Sequence, residues 1–153
     1  ILASYAPLLA RTGYTQWAPD LIWFDEKSVC ATPSYWVQKL YAQNRGDWTL
    51  RLDGQEKELA GEGIFVSASL CRESGEVIVK AVNRNPEEKE LKIALAEGLS
   101  AKGPVRIQEL SGQPEAFNSV EDPNRVRVSE RMQEETDSLK LPAHSFVVAR
   151  ISR

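Results

Sequence analysis

One apolar run, Leu21-Ile22-Trp23-Phe24, stands between Pro19 and the pair Asp25-Glu26, and it constrains the fold more than any other feature. Four consecutive apolar residues suit a strand buried on both faces, as in a parallel sheet. Upstream, Ile1, Leu2, Tyr5, Leu8 and Leu9 fall on one helical face, with Pro7 marking a kink or a first turn. Downstream, Thr32-Pro33 offers an N-cap followed by proline at the first helical position. Trp36, Val37, Leu40 and Tyr41 then make a helical stripe, which Asn44 and Gly46 stop. Helix, strand, helix is a slice of α/β architecture. It is not a complete one, because a lone parallel strand has no sheet to join.

Beyond residue 48 the chemistry changes. Residues 1–48 hold all four Trp, all four Tyr and Phe24, nine of the twelve aromatics, with only 4 basic and 4 acidic residues. The remainder carries 15 basic and 18 acidic residues and reads as short strands separated by turn chemistry. Trp48, Leu50 and Leu52 alternate with polar residues; strands are expected over 64–71, 76–82, 90–96, 105–110, 125–128 and 145–151. Glu73-Ser74-Gly75 looks like the loop of a hairpin. Leu91, Ile93 and Leu95 point one way and their neighbours the other, as in a half-solvated antiparallel strand. Some seven short strands with frequent turns argue a sandwich or jelly roll.

A net charge of -3 with no basic stripe speaks against nucleic acid as a partner. Charge or proline breaks every apolar run, so no helix is expected to span a membrane. No charged-then-apolar leader opens the chain, and position 1 is Ile, which suggests a processed product or a piece of something larger. Cys30 and Cys71 match no zinc spacing and read as free thiols.

Few residues offer chemistry. Asp25 and Glu26 follow the apolar strand directly, where α/β barrels carry their active sites; the plainer reading is a solvated loop. His144, the single histidine, lies before the last strand with no nucleophile elbow around Ser145, and reads as a turn residue. Arg45-Gly46-Asp47 matches an adhesive tripeptide, but a helix C-cap accounts for it. The pairs Glu87-Glu88 and Glu134-Glu135 lack calcium-loop spacing. No metal site and no cofactor are expected. Trp23 and Trp36 fit core positions, whereas Trp17 lies in a loop, Gly13 to Pro19, and is the best aromatic candidate for binding.

Several blocks in order carry a likeness: Ala3-Ser4-Tyr5-Ala6-Pro7-Leu8-Leu9, Trp17-Ala18-Pro19-Asp20-Leu21-Ile22, Thr32-Pro33-Ser34-Tyr35-Trp36-Val37-Gln38 and Val79-Lys80-Ala81-Val82-Asn83. Leu110-Ser111-Gly112, Asn118 with Asp122-Pro123, and Leu141-Pro142 continue it. Together they resemble the C-terminal part of α-L-arabinofuranosidases of glycoside hydrolase family 51. The resemblance implies a mainly β chain: an antiparallel β-sandwich of jelly-roll type, residues 49–153, preceded by a short α/β remnant of a (β/α)8 barrel, residues 1–48. The remnant would be a helix, strand eight at 20–24, and the helix after it.

The resemblance also implies what the chain lacks. Family members are retaining glycosidases with two catalytic glutamates ending strands four and seven, both upstream of Ile1, so no catalytic residue is carried over. Ser4, Trp17, Asp25 and Glu26 would border the parent's sugar pocket. The expected partners are the rest of the barrel and, through it, arabinose-containing polysaccharide. The barrel remnant would fold against the sandwich, pair with another copy, or stay partly mobile. The substrate class points to a secreted or periplasmic protein. The expected role is a non-catalytic portion whose sandwich buttresses the barrel. The alternatives are a stand-alone carbohydrate-binding or scaffold module, and a small hydrolase using Asp25.

Overall fold

The computed structural model describes residues 4–96, 100–134 and 137–153. In chain order its elements are β1 (Leu9–Arg11), β2 (Ile22–Phe24), β3 (Val29–Ala31), α1 (Pro33–Gln43), β4 (Trp48–Leu50), α2 (Glu56–Gly61), β5 (Ile64–Leu70), β6 (Val77–Asn83), β7 (Lys89–Lys92), β8 (Val105–Ser111), β9 (Val128–Gln133), β10 (Ser138–Leu141) and β11 (Ser145–Ile151). Ile1, Leu2, Ala3 and Glu135 lie outside the described residues.

The chain is mainly β, as expected. Its centre is a six-stranded antiparallel sheet in the order β4-β5-β6-β11-β8-β9. β6 and β11 are nearly continuous in apolar residues because both of their faces are covered. On one face Val77, Val79, Ala81, Val105, Ile107, Val147, Ala149 and Ile151 meet Leu91, Leu139 and Leu141 of the antiparallel β7–β10 ribbon. On the other, Ile78, Leu110, Phe146 and Val148 meet Leu40 of α1, with Trp36 and Val37 packed alongside. The layers are therefore helix, six-stranded sheet and two-stranded ribbon. The eight strands from β4 onward divide six and two.

Local chemistry explains the joints. Thr32 caps α1, accepting from the Tyr35 N–H, with Pro33 at the first helical position. Gly75, at φ 71°, turns the β5–β6 hairpin through Glu73-Ser74-Gly75, where its N–H donates to the Cys71 carbonyl. Asn44 ends α1 and ties it to the sheet, giving Nδ2–H to Gln108 Oε1 at 2.8 Å and accepting from Arg150 Nη1 at 3.3 Å. Arg150 also grips Glu76 through Nε and Nη2. That guanidinium, helped by the Ser74 hydroxyl, holds the Glu76 carboxyl below its ordinary value.

The structure departs from the expected head in three ways. The segment before β1 is not helical over residues 4–8, and Leu9–Arg11 is a strand. The Pro7 and Leu8 carbonyls accept from the Leu21 and Ile22 N–H groups, so this backbone is drawn into sheet pairing where proline supplies no helical donor. The apolar strand is not alone: β2 pairs parallel with β1 and antiparallel with β3. So small a sheet leaves Ile22, Trp23 and Phe24 half-buried and only Leu21 buried. Gly46 does not serve as a left-handed cap; a Cβ there would collide with the Ser69 side chain, so glycine is needed for close approach to β5.

In the body, α2 and β10 carry no strong sequence signal, and β9 begins where the expected 125–128 strand ends. Val126 is buried, but its N–H and carbonyl are held by the Asn118 side chain instead of a ladder. Asn118 also donates to the Ala31 carbonyl at 2.8 Å, joining the loop to the end of β3.

Candidate functional site

Parallel strands place their carboxyl ends side by side, which is where α/β proteins build sites. Here β1 and β2 end together at Arg11 and Phe24, and the Thr12 N–H donates to the Phe24 carbonyl at 2.9 Å. The residues just past these ends form the candidate site. Arg11 Nη2 donates to Glu26 Oε1 at 2.7 Å, and the Arg11 guanidinium carbon lies 4.6 Å from the centre of the Tyr14 ring. Asp25 Oδ1 accepts from the Lys27 and Ser28 N–H groups, both at 2.7 Å, closing the turn into β3.

Of the four residues expected at a sugar-pocket rim, Asp25 and Glu26 are brought together at this end, both exposed. Trp17 lies midway along the crossover that returns from the end of β1 to the start of β2, with 69% of its surface exposed and its N–H held by Thr15 Oγ1. Ser4 is exposed, ahead of β1. Asp25 is committed to its turn and Glu26 to Arg11. Among the described residues no wall encloses them, and both are exposed, unlike the shielded pair that acid–base hydrolysis requires.

Other features were not offered as site residues by the sequence. Arg11 and Tyr14 complete the Glu26 cluster. Asn118 anchors the loop that carries Glu121, whose carboxyl is held below its ordinary value by the Ser119 hydroxyl. Burial, followed by the charge of Glu121, pushes the Cys30 thiol up. Asp20 is fully buried at the foot of β2, and among the described residues neither carboxylate oxygen has a hydrogen-bond partner. None of these carried a spacing in the sequence that pointed to chemistry.

Elsewhere, a cavity of about 490 Å³ opens between α1 and the loop after β8, lined by Val37, Tyr41, Val82, His144 and Phe146 among others, with no Asp or Glu among the described residues that line it. His144 adopts φ 47° in the turn before β11, matching its expected place. Cys30 and Cys71 are free. No described helix is long and apolar enough to cross a membrane.

A family model described as the alpha-L-arabinofuranosidase C-terminal domain matches residues 1–145. The chain is 33% identical over 151 residues to alpha-L-arabinofuranosidase 2 of Arabidopsis thaliana, covering 95% of this chain and 22% of the relative. It is 54% identical over 46 residues, 30% of its length, to an extracellular exo-alpha-L-arabinofuranosidase of Streptomyces chartreusis, of which this is 6%. The solved structure of arabinose-bound MgGH51 α-L-arabinofuranosidase superposes with a TM-score of 0.86 at 30% identity, covering 97% of this chain and 24% of that one. The chain thus spans less than a quarter of the length of these relatives.

Proposed function

Because this chain belongs to the alpha-L-arabinofuranosidase C-terminal domain family, we propose that it is the non-catalytic closing portion of an enzyme that removes terminal, non-reducing arabinofuranosyl units from arabinan or arabinoxylan. The observation that carries this reading is the fit of 95% of the chain to 22% of its plant relative. Hydrolysis with retention needs two carboxyl groups about 5–5.5 Å apart. Asp25 and Glu26 are exposed and otherwise engaged, so the acid/base and the nucleophile belong to the preceding part of the enzyme.

Residues 1–48 are on this reading the tail of the catalytic barrel, and residues 49–153 the sandwich that supports it. Leu8, Leu9 and Val29 are exposed on the small sheet, as residues covered by further barrel strands and helices would be in a fragment. In the separated chain the face that carries Leu9 and Val29 is where a second copy would associate. Ser4, Trp17, Asp25 and Glu26 border the sugar pocket of the whole enzyme. The polysaccharide substrate places that enzyme outside the cytoplasm, secreted or periplasmic.

Hydrolysis of a chromogenic α-L-arabinofuranoside tests the reading. The expected result is turnover by the enzyme that contains this chain and none by the 153-residue chain itself. Turnover by the isolated chain that Asp25→Ala abolishes would overturn it. A second reading, an autonomous carbohydrate-binding module, draws on the exposure of Tyr14 and Trp17, 77% and 69%. It requires retardation of the isolated chain in a gel containing soluble arabinan, and unchanged mobility at high polysaccharide eliminates it.

A further inference from the structure

We infer that the cavity between α1 and the loop after β8 is a binding site for a small apolar carboxylate, its body against Val82, Tyr41 and Phe146 and its charged end on Arg84. The fixed walls of the cavity, their apolar chemistry and the sign of the charge they carry together select that ligand.

The cavity holds about 490 Å³, room for a ring-sized molecule. Ile78 and Val82 point from β6 toward α1, and Arg84 follows on the same side by the two-residue period of a strand. Tyr41 of α1 stacks on Phe146 of β11, with ring centres 4.9 Å apart. The loop after β8 supplies a further wall. It lies tight on Val126, since a Cβ on Gly112 would stand 3.1 Å from Val126 Cγ2. The Asn118 side chain in turn holds Val126 by both its N–H and its carbonyl. Val37 and Leu110 complete the apolar lining. A polyhydroxylated ligand would leave hydroxyls without partners against these side chains.

Charge sets the polarity of the ligand. Arg84 is the one charged residue among the described residues that line the cavity, and no Asp or Glu balances it there. The main chains of Arg84 and His144 are fixed, their N–H groups donating at 3.0 Å to the Gly63 and Asn85 carbonyls. Among the described residues neither side chain has a hydrogen-bond or ion partner. Lys80 adds to the positive field: its ammonium lies 5.3 Å from the centre of the Tyr41 ring, with no acidic partner among the described residues. Burial, followed by the charge of Arg150, holds that ammonium below its ordinary value, as befits a cation with no anion beside it. A guanidinium fork takes a carboxylate through two parallel N–H···O bonds, and one cation balances one negative charge.

The probe is hydrocinnamate, with the neutral hydrocinnamamide as its control, titrated by ligand-detected NMR into the enzyme that contains this chain and into the 153-residue chain. Both proteins are expected to bind the acid with a Kd on the order of 1 mM, and the amide about tenfold more weakly, the worth of one charge-assisted hydrogen bond. Arg84 is exposed, so Arg84→Ala leaves the core intact. It is expected to weaken the acid about tenfold and to leave the amide unchanged. Arg84→Lys, which keeps the charge and loses the fork, is expected to recover part of that loss. Equal affinity for acid and amide would overturn the inference, as would an acid affinity that Arg84→Ala does not change. Absence of binding to both proteins would do the same. Binding by the 153-residue chain alone would mean that another part of the enzyme fills the cavity, and overturns it too.

Discussion

At the scale of single residues, burial decides which polar groups matter. Glu76 and Arg150 are each about a fifth exposed, 21% and 18%, and Arg150 reaches Glu76 with two nitrogens while also touching Asn44. Glu76→Gln is expected to cost on the order of 1 kcal/mol at neutral pH, the usual scale of a hydrogen bond to a charged group. Because the folded state holds this carboxyl below its ordinary 4.5, its stabilisation is complete above that value and is lost as pH falls through the lower, folded one. Urea midpoints of the two proteins should therefore differ at pH 7 and converge in acid. A gap that widened below pH 4 would show that the carboxylate is not what the pair contributes. Gly46 is the opposite kind of residue, defined by what it lacks. A Cβ there would stand 2.5 Å from the Ser69 Cβ as well as against its Oγ, so Gly46→Ala should destabilise by about 1–3 kcal/mol by urea denaturation. An unchanged midpoint would mean that β5 yields freely at Ser69.

At the scale of elements, the joints between head and sheet rest on single side chains. Thr32 caps α1 and also gives its hydroxyl proton to the Leu21 carbonyl at 2.8 Å, binding the start of the helix to the residue that leads into β2. Thr32→Ala removes both bonds and is expected to cost about 1–2 kcal/mol. Thr32→Ser keeps them and should recover most of that loss; equal losses would assign the effect to packing of the methyl group. Thr32-Pro33 was legible in the sequence because capping chemistry is local. The hairpin at Glu73-Ser74-Gly75 was legible for the same reason, and β6 and β11 were because two-sided burial makes apolar runs. β1 was not, since Leu8-Leu9 suits a helix as well as a strand until the parallel partner 13 residues away takes its backbone. β9 was obscured because it is an edge strand of polar residues, Ser129, Glu130 and Arg131, held by its pairing with β8 and by the Arg106–Glu130 ion pair at 2.8 Å. The candidate site was half legible: Asp25 and Glu26 announce themselves by following the apolar strand. Arg11 and Tyr14 join them only through the parallel pairing, which no local pattern encodes.

At the scale of the whole molecule, the two compositional halves are one packed body. α1 belongs by sequence to the aromatic head, yet its inner face covers the sheet: buried Leu40, with Trp36 and Val37, lies over Ile78, Leu110, Phe146 and Val148. Tyr41 stacks on Phe146 at 4.9 Å between ring centres, and Asn44 reaches Gln108. A chain shortened to begin at Trp48 would keep every strand of the large sheet and uncover this face. Burial of a Leu-sized side chain is worth about 1.5–3 kcal/mol, and several lose their cover at once. The shortened chain should therefore unfold at least about 3 kcal/mol more easily in urea, bind a hydrophobic dye and tend to aggregate. Hydrogen exchange in the full 153-residue chain gives the complementary measure. Amides of α1 should be protected to a similar degree as those of β6 and β11, while β1, with one edge unpaired, should exchange faster. A shortened chain with an unchanged midpoint and no dye binding would separate the head from the sandwich. The sheet would then be stable without the helix, and the packing of Leu40 would be incidental to it. The expected loss instead makes α1 the physical link between the aromatic head and the six-stranded sheet.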